Sequence, residues 1–340
     1  MLIGDVAKCI LLRPQLERNR IYMKYYYAPM EGITGYIQRG ASHALFPQID
    51  KYFTAFIAPN QKGKFSSKEK NDFRPEHNQG LTLIPQILTN SAEDFLLTAK
   101  KLTEYGHREV NLNLGCPSRT VVSKYRGSGF LAKPAELDRF LEEIFSGTDV
   151  EISIKTRIGR DDVEEWPVLM EIYNRYPLKE LIIHPRTQQD YYKNAPHMDV
   201  FRDALRESRC PVCYNGDLFT LEDFQKFRED FPEVEAVMLG RGLLANPGLV
   251  RMIEGGPMPD KEEILAYHNM IYEGYREVMY GDRNVLFKMK ELWIYMIRIF
   301  ADSKKYAKKI RKAEKLAVYE SVIRELFANC EIIEDYRYQE

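Results

Sequence analysis

Cys116 closes an alternating run, Val110-Asn111-Leu112-Asn113-Leu114, inside a Gly-Cys-Pro turn, and a thiol so placed is the most pointed chemical feature of this chain. Gly115 and Pro117 fix the backbone on both sides of the sulfur, and strand-end loops on a rigid parallel sheet are where α/β enzymes put their chemistry. A free cysteine otherwise serves as a small core hydrophobe. Asn113 points to the same side as Gly115 and brings a polar amide to the strand end, which favours the reactive role. Other short apolar runs also end on polar groups. Pro29-Met30 follows the first, Gln86 lies in the third, and Lys155 and Arg157 close the fifth. His184 and Arg186 close the sixth, Asn215-Gly216-Asp217 follows the seventh, and Gly240-Arg241 follows the eighth. No carboxylate or histidine cluster in this set points to a metal. Cys210-Pro211-Val212-Cys213 has CxxC spacing, but no second Cys/His pair follows, so these read as strand cysteines.

The elements that must position these groups are eight apolar runs: Tyr25 to Ala28, Phe53 to Ile57, Leu83 to Leu88, Val110 to Leu114, Ile152 to Thr156, Leu181 to His184, Val212 to Tyr214 and Ala236 to Leu239. Stretches with apolar residues at helical spacing lie between most of them, such as Ala92 to Tyr105, Pro134 to Phe145, Trp166 to Tyr176 and Leu221 to Phe227. Strands too apolar to be solvated on one face, alternating with helices, predict a closed (β/α)8 barrel, or TIM barrel, in the α/β class. Gly255-Gly256-Pro257-Met258-Pro259 punctuates the chain, and only helical patterns follow. The expected organisation is an extension over 1–24, a barrel over 25–256 and a small helical bundle over 257–340. In the bundle Val285, Leu286, Met289, Leu292, Trp293, Met296, Ile297 and Phe300 form one core-facing stripe.

A length of 340 residues accommodates both units, and 44% hydrophobic with 29% charged residues is the balance of an ordinary globular protein. No run is long enough to span a bilayer and the N-terminus lacks a signal-peptide pattern, so the expected location is the cytoplasm, away from membranes. Five scattered cysteines argue against a disulfide framework. No obligate protein partner is indicated.

Turns after the seventh and eighth strands are where barrels often build a phosphate site from backbone N–H groups, and Arg241 can add a charge-assisted contact. The same glycines can also simply make tight turns. With a phosphate there, a flavin mononucleotide would reach towards Gln86, Asn113 and Lys155. The segments Ala28-Pro29-Met30-Glu31-Gly32-Ile33-Thr34, Asn111 to Ser118 with Gly127-Ser128-Gly129, Ile154-Lys155-Thr156-Arg157-Ile158-Gly159 and His184-Pro185-Arg186-Thr187, with the Asn-Gly-Asp and Gly-Arg turns, resemble the flavin-dependent tRNA dihydrouridine synthases. The resemblance covers most of the chain. It implies FMN in the barrel, NADPH as reductant, tRNA as partner, and reduction of the uracil C5–C6 double bond. It also implies Cys116 as general acid, and Pro29, Met30, Gln86, Lys155, His184, Asn215, Gly216, Asp217, Gly240 and Arg241 as flavin contacts, with Asn113 and Arg186 near the uracil. Departures from the family pattern fall at Gly35, at Pro185 and at Lys193-Asn194-Ala195, on the nucleic-acid side.

Lys304, Lys308, Arg311 and Lys315 fall at helical spacing in a stretch that also holds Lys305, Lys309 and Lys312, a strip of positive potential. Beside a flavin barrel such a strip is a phosphate-backbone contact. Tyr191 and Tyr192 are candidates for stacking on a base. Ribosomal RNA as the substrate, a small pyrimidine or alkene as the substrate, and a noncatalytic RNA-binding protein are the other readings.

Overall fold

The computed structural model describes residues 23–59, 64–334 and 336. Most of the N-terminal extension, with Cys9, Arg13, Arg18 and Arg20, lies outside these residues. Eight parallel strands form the sheet: β1 Lys24–Tyr27, β2 Lys51–Phe53, β3 made of Leu83–Ile84 and Gln86–Ile87, β4 Glu109–Leu114, β5 Glu151–Gly159, β6 Leu181–Thr187, β7 Val212–Tyr214 and β8 Ala236–Leu239. Pro85, which has no N–H to give, interrupts β3. Its carbonyl still accepts from Asn111 N at 2.9 Å, so the ladder continues through it. Each strand pairs with the next and β8 pairs back onto β1, which closes the expected barrel. β2 is shorter than the run at 53–57, and only an isolated bridge joins Ile57 to Ile87.

Strand alternation divides the core in two. Tyr25, Tyr27, Val110, Leu112, Leu114, Ile152 and Ile154 face outward under the helices, within the larger apolar cluster. Tyr26, Ala28, Phe53, Ile84, Ile182, Cys213, Ala236 and Met238 form a separate cluster inside the barrel. The remaining inward positions are polar: Gln86, Asn111, Asn113, Ser153, Lys155 and His184. One side of the lumen is therefore packed and the other is built from hydrogen-bonding groups. At the N-terminal end of the strands Lys51 pairs with Glu109 at 2.9 Å, and Tyr26 Oη donates to Glu180 at 2.7 Å, closing the base of the barrel.

Helices follow the expected spans closely, with Ala92–Glu104, Pro134–Gly147, Trp166–Tyr173 and Leu221–Asp230 covering the barrel. After Pro259 come Lys261–Val278, Asp282–Met296, Lys304–Lys312 and Leu316–Asn329. The first starts at a capping box between Asp260 and Glu263 and packs against the helix Tyr36–Leu45, where Gln38 Nε2 donates to Tyr267 Oη at 2.6 Å. The stripe on Asp282–Met296 is buried as expected, except that Ile297, just beyond it, is half-buried. Tyr319 ties these helices together, accepting from Trp293 Nε1 at 2.7 Å and meeting His268 Nε2 at 2.6 Å. No helix of the described residues is long and apolar enough to cross a membrane.

Candidate active site

β4 delivers the thiol. Asn113, the last inward residue of that strand, accepts from the backbone N–H of Gly115 at 3.0 Å and of Cys116 at 2.9 Å, so its side chain folds the loop that carries the sulfur. The Cys116 carbonyl accepts from Ser128 N at 3.1 Å and Ser128 Oγ at 2.9 Å. Gly127 allows that clamp. It sits at φ +54°, and a Cβ there would lie 2.8 Å from the Cys116 carbonyl oxygen. The sulfur is half-buried. Burial pushes its pKa up, opposed by a backbone hydrogen bond from Ser118 and the charges of Arg157 and Lys155. The thiol therefore keeps its proton at neutral pH.

Beside this loop a cavity of about 260 Å³ opens at the C-terminal ends of β1 and β5–β8. Pro29, Met30, Lys155, His184, Asn215, Gly216, Asp217, Gly240 and Arg241 all line it. Lys155 is the telling member. Its ammonium has no hydrogen bond or ion pair among the described residues. Burial first, and then the neighbouring Arg157, push its pKa down to about 8. His184 is held well below the usual imidazole range by burial and by the surrounding cations, and is neutral. Its Nε2 lies 3.0 Å from Arg186 Nη1, which can only donate, so the histidine proton resides on Nδ1.

Arg186 does not reach the cavity. It is 1% exposed and binds Asp217 through both terminal nitrogens, while its Nε donates to Asn194 O at 2.6 Å. Asp217 also accepts from Arg241 at 2.8 Å, so one carboxylate holds two arginines. Arg241 lies 4.8 Å from the Tyr192 ring and 4.9 Å from that of Phe219. Tyr192, 44% exposed, also lies 5.3 Å from Arg157 and lines the cavity. Gln86 and Asn113 stay within the polar half of the lumen. Gln86 donates to Asn111 at 2.8 Å and accepts from Asn113 at 2.7 Å.

The glycines make a cradle. A Cβ on Gly240 would sit 3.3 Å from Ala28 Cβ and 3.6 Å from Met30 Sδ, narrowing the cavity between the two turns. One on Gly216 would overlap the Tyr214 hydroxyl. Gly240 precedes the short helix Arg241–Ala245, whose first N–H groups have no intrahelical acceptor. This donor set, a free ammonium and backbone N–H groups against apolar Met30 and Ala28, fits a flat anionic cofactor with a phosphate.

Three lining residues gave no signal as site groups. Tyr295 reaches the cavity from the helix Asp282–Met296, one position from its core stripe, Phe219 lies just past the Asn215-Gly216-Asp217 turn, and Gly242 follows Arg241. The basic residues lie elsewhere. Lys304, Lys308 and Arg311 are exposed on the helix Lys304–Lys312, as expected, but the helix ends there and Lys315 caps the next one. The strip is thus broken at Ala313, where the backbone turns extended.

Comparison with known proteins agrees with this architecture. The family model described as dihydrouridine synthase (Dus) matches residues 26–330. The tRNA-dihydrouridine synthase B of Pasteurella multocida (strain Pm70) is 27% identical over 239 residues, 70% of this chain and 69% of that protein. The probable tRNA-dihydrouridine synthase 2 of Bacillus subtilis (strain 168) is 28% identical over 230 residues, 65% of this chain and 69% of that one. Among solved structures, a variant of NCR from Zymomonas mobilis superposes with a TM-score of 0.50 at 14% identity, over 72% of this chain and 90% of that one, which shows the barrel fold. With a family match that runs from β1 to the last helix, the chain belongs to the dihydrouridine synthase family.

Proposed function

We propose that this protein is a tRNA dihydrouridine synthase that reduces the C5–C6 double bond of uridines in tRNA, with FMN as its flavin and NADPH as the reductant. The observation that carries the proposal is the pairing of a protonated strand-end thiol with the half-buried, unpartnered ammonium of Lys155 at one barrel mouth. When bound, a flavin would supply hydride-transfer chemistry to uracil C6, which no side chain here can.

Cys116 Sγ–H gives its proton to C5 as general acid, a role that burial favours because it keeps the thiol neutral. The thiolate left behind lies within the fields of Lys155 and Arg157, both of which favour its charge. The sulfur is only half-buried, so water can return the proton. Lys155 holds negative charge in the cavity, His184 offers Nδ1–H, and Arg241 with the Gly240 turn holds a phosphate. Asn113 is a positioning residue, since its oxygen fixes the backbone on which the thiol is mounted. Asp217 and Arg186 brace Arg241 and His184. Residues 257–340 supply the RNA-binding unit, in which Lys304, Lys308, Arg311 and Lys315 take the phosphate backbone.

The test is anaerobic. Enzyme reduced by NADPH is mixed with tRNA lacking dihydrouridine, flavin reoxidation is followed, and dihydrouridine is mapped by mass spectrometry. Cys116→Ala should leave reduction by NADPH intact and slow reoxidation by tRNA about 10²- to 10⁴-fold. Equal rates in both proteins would overturn the assignment. Reoxidation by ribosomal RNA or a small alkene, but not by tRNA, would move the activity to that substrate.

A further inference from the structure

A second cavity, of about 540 Å³, lies between the loops that follow β1 and β2 and the helices Lys261–Val278 and Asp282–Met296. It adjoins the first. Glu31 and Gly32 line it, directly after Pro29 and Met30 of the reaction cavity. On the helix Asp282–Met296, Lys288 faces the larger cavity and Tyr295 the smaller, about 10 Å of helical rise apart. The Glu31 carboxylate is also close enough to the Cys116 thiol to raise its pKa.

Most charges that line this cavity are already engaged. Asp72 pairs with Arg39 and accepts from Tyr36 N at 2.9 Å, Glu69 accepts from Ser66 N at 2.7 Å, and Lys288 donates to Gly32 O at 2.5 Å. Tyr36 is stacked on His77 at 4.5 Å. Three groups differ. Glu31 and Lys68, both exposed cavity-lining residues, have no hydrogen bond or ion pair among the described residues, and half-buried Phe56 has no ring partner among them. The free chemistry of the cavity thus includes one aromatic face, one acceptor-only carboxylate and one ammonium. The ring and the carboxylate suit a planar group that presents N–H donors, and the ammonium suits the phosphate attached to it.

A uracil site cannot by itself tell one uridine from another, and backbone contacts carry no sequence information. A second base held by the protein adds discrimination beyond the shape of the folded RNA, and extruding a uridine unstacks its neighbour, which then seeks another surface. Building on the proposed RNA substrate, we propose that this cavity holds the nucleobase next to the reduced uridine, stacked on Phe56 with its N–H edge on Glu31. Guanine matches best, because its N1–H and N2–H lie side by side opposite the two carboxylate oxygens.

The test uses flavin-loaded full-length enzyme and tRNA transcripts that carry guanine, inosine or adenine at each position flanking the reduced uridine. Wild type should prefer guanine at one flank by roughly tenfold in kcat/KM over inosine, which lacks the N2 amino group. Glu31→Ala should level guanine and inosine. Phe56→Ala should lower kcat/KM about 5- to 150-fold on every transcript, the range of one lost base stack, with Phe56→Tyr restoring it and Phe56→Leu not. Reduction by NADPH should stay at the wild-type rate in all of them. If wild type reduces no tRNA, the RNA reading itself falls. If it does, and Glu31→Ala keeps the guanine preference or Phe56→Leu matches wild type, only this cavity's assignment falls.

Discussion

Replacing Lys155 by methionine should make the flavin-free protein more stable, although it removes a group proposed to be essential. The lysine sits in the polar half of the lumen with no partner among the described residues, and burial displaces its pKa from 10.5 to about 8. A displacement of that size corresponds to roughly 3 kcal/mol of unfavourable charge burial. Lys155 is half-buried by exposure and opens on a cavity, so solvent screens part of it and the net gain is on the order of 1–3 kcal/mol. For a chain of 340 residues this is a rise in Tm of roughly 1–4 °C.

The pH dependence separates this cause from better packing. The folded-state pKa lies below the unfolded one, so the unfolded chain binds more protons between about pH 8 and 10.5, and wild-type stability gains with pH across that window. Below pH 8 the lysine is charged in both states and the penalty is complete. Near pH 10.5 and above it is neutral in both, and the advantage of the variant vanishes. Melting curves of flavin-free wild type and Lys155→Met at pH 7, 8.5 and 10 measure the difference directly. A variant that melts at or below wild type at pH 7, or whose gain does not change with pH, refutes the reasoning. Flavin affinity should meanwhile fall at least about tenfold, one lost charge-assisted contact.

Gly127→Ala forces a side chain into a φ of +54° and against the Cys116 carbonyl, so turnover with tRNA should drop by about tenfold or more and stability by about 1–3 kcal/mol, read from steady-state kinetics and denaturant melts. Asp217→Asn leaves Arg186 buried with a weakened partner and frees Arg241, and should lower stability by about 3 kcal/mol, seen as a lower Tm with or without flavin. Exchanging Lys304, Lys308 and Arg311 for glutamine should reduce the dependence of log tRNA affinity on log salt by about 0.7–0.9 per residue, measured by filter binding, while the rate of flavin reduction by NADPH is unchanged.

The barrel was legible because strands buried on both faces leave uninterrupted apolar runs, and because an inward polar residue in such a run, like Asn113 or Lys155, breaks the pattern visibly. Alternation told which side each group faces. What it could not tell was whether an inward polar group serves a neighbour or a ligand. Gln86 is taken up by Asn111 and Asn113, and Arg186 by Asp217, through pairings between strands far apart in sequence. Lys288 and Tyr295 left no mark as site groups for a related reason. The contact from Lys288 Nζ to Gly32 O joins residues 256 positions apart, and Tyr295 lies at the edge of a helical stripe that reads as core.

Those pairings bear on how the site works. Asn113, Gln86, Asn111 and Ser153 satisfy one another across β3, β4 and β5, and Asp217 satisfies Arg186 and Arg241. A network completed before any ligand arrives needs no reorganisation when one binds, which is the condition for electrostatic preorganisation. Lys155 stands outside that network, an ammonium held at a cost in stability where an anion would relieve it. The stability gain in Lys155→Met and the flavin affinity it loses are then two readings of one interaction. Both should shrink as pH approaches 10.5, where the wild-type side chain is itself neutral.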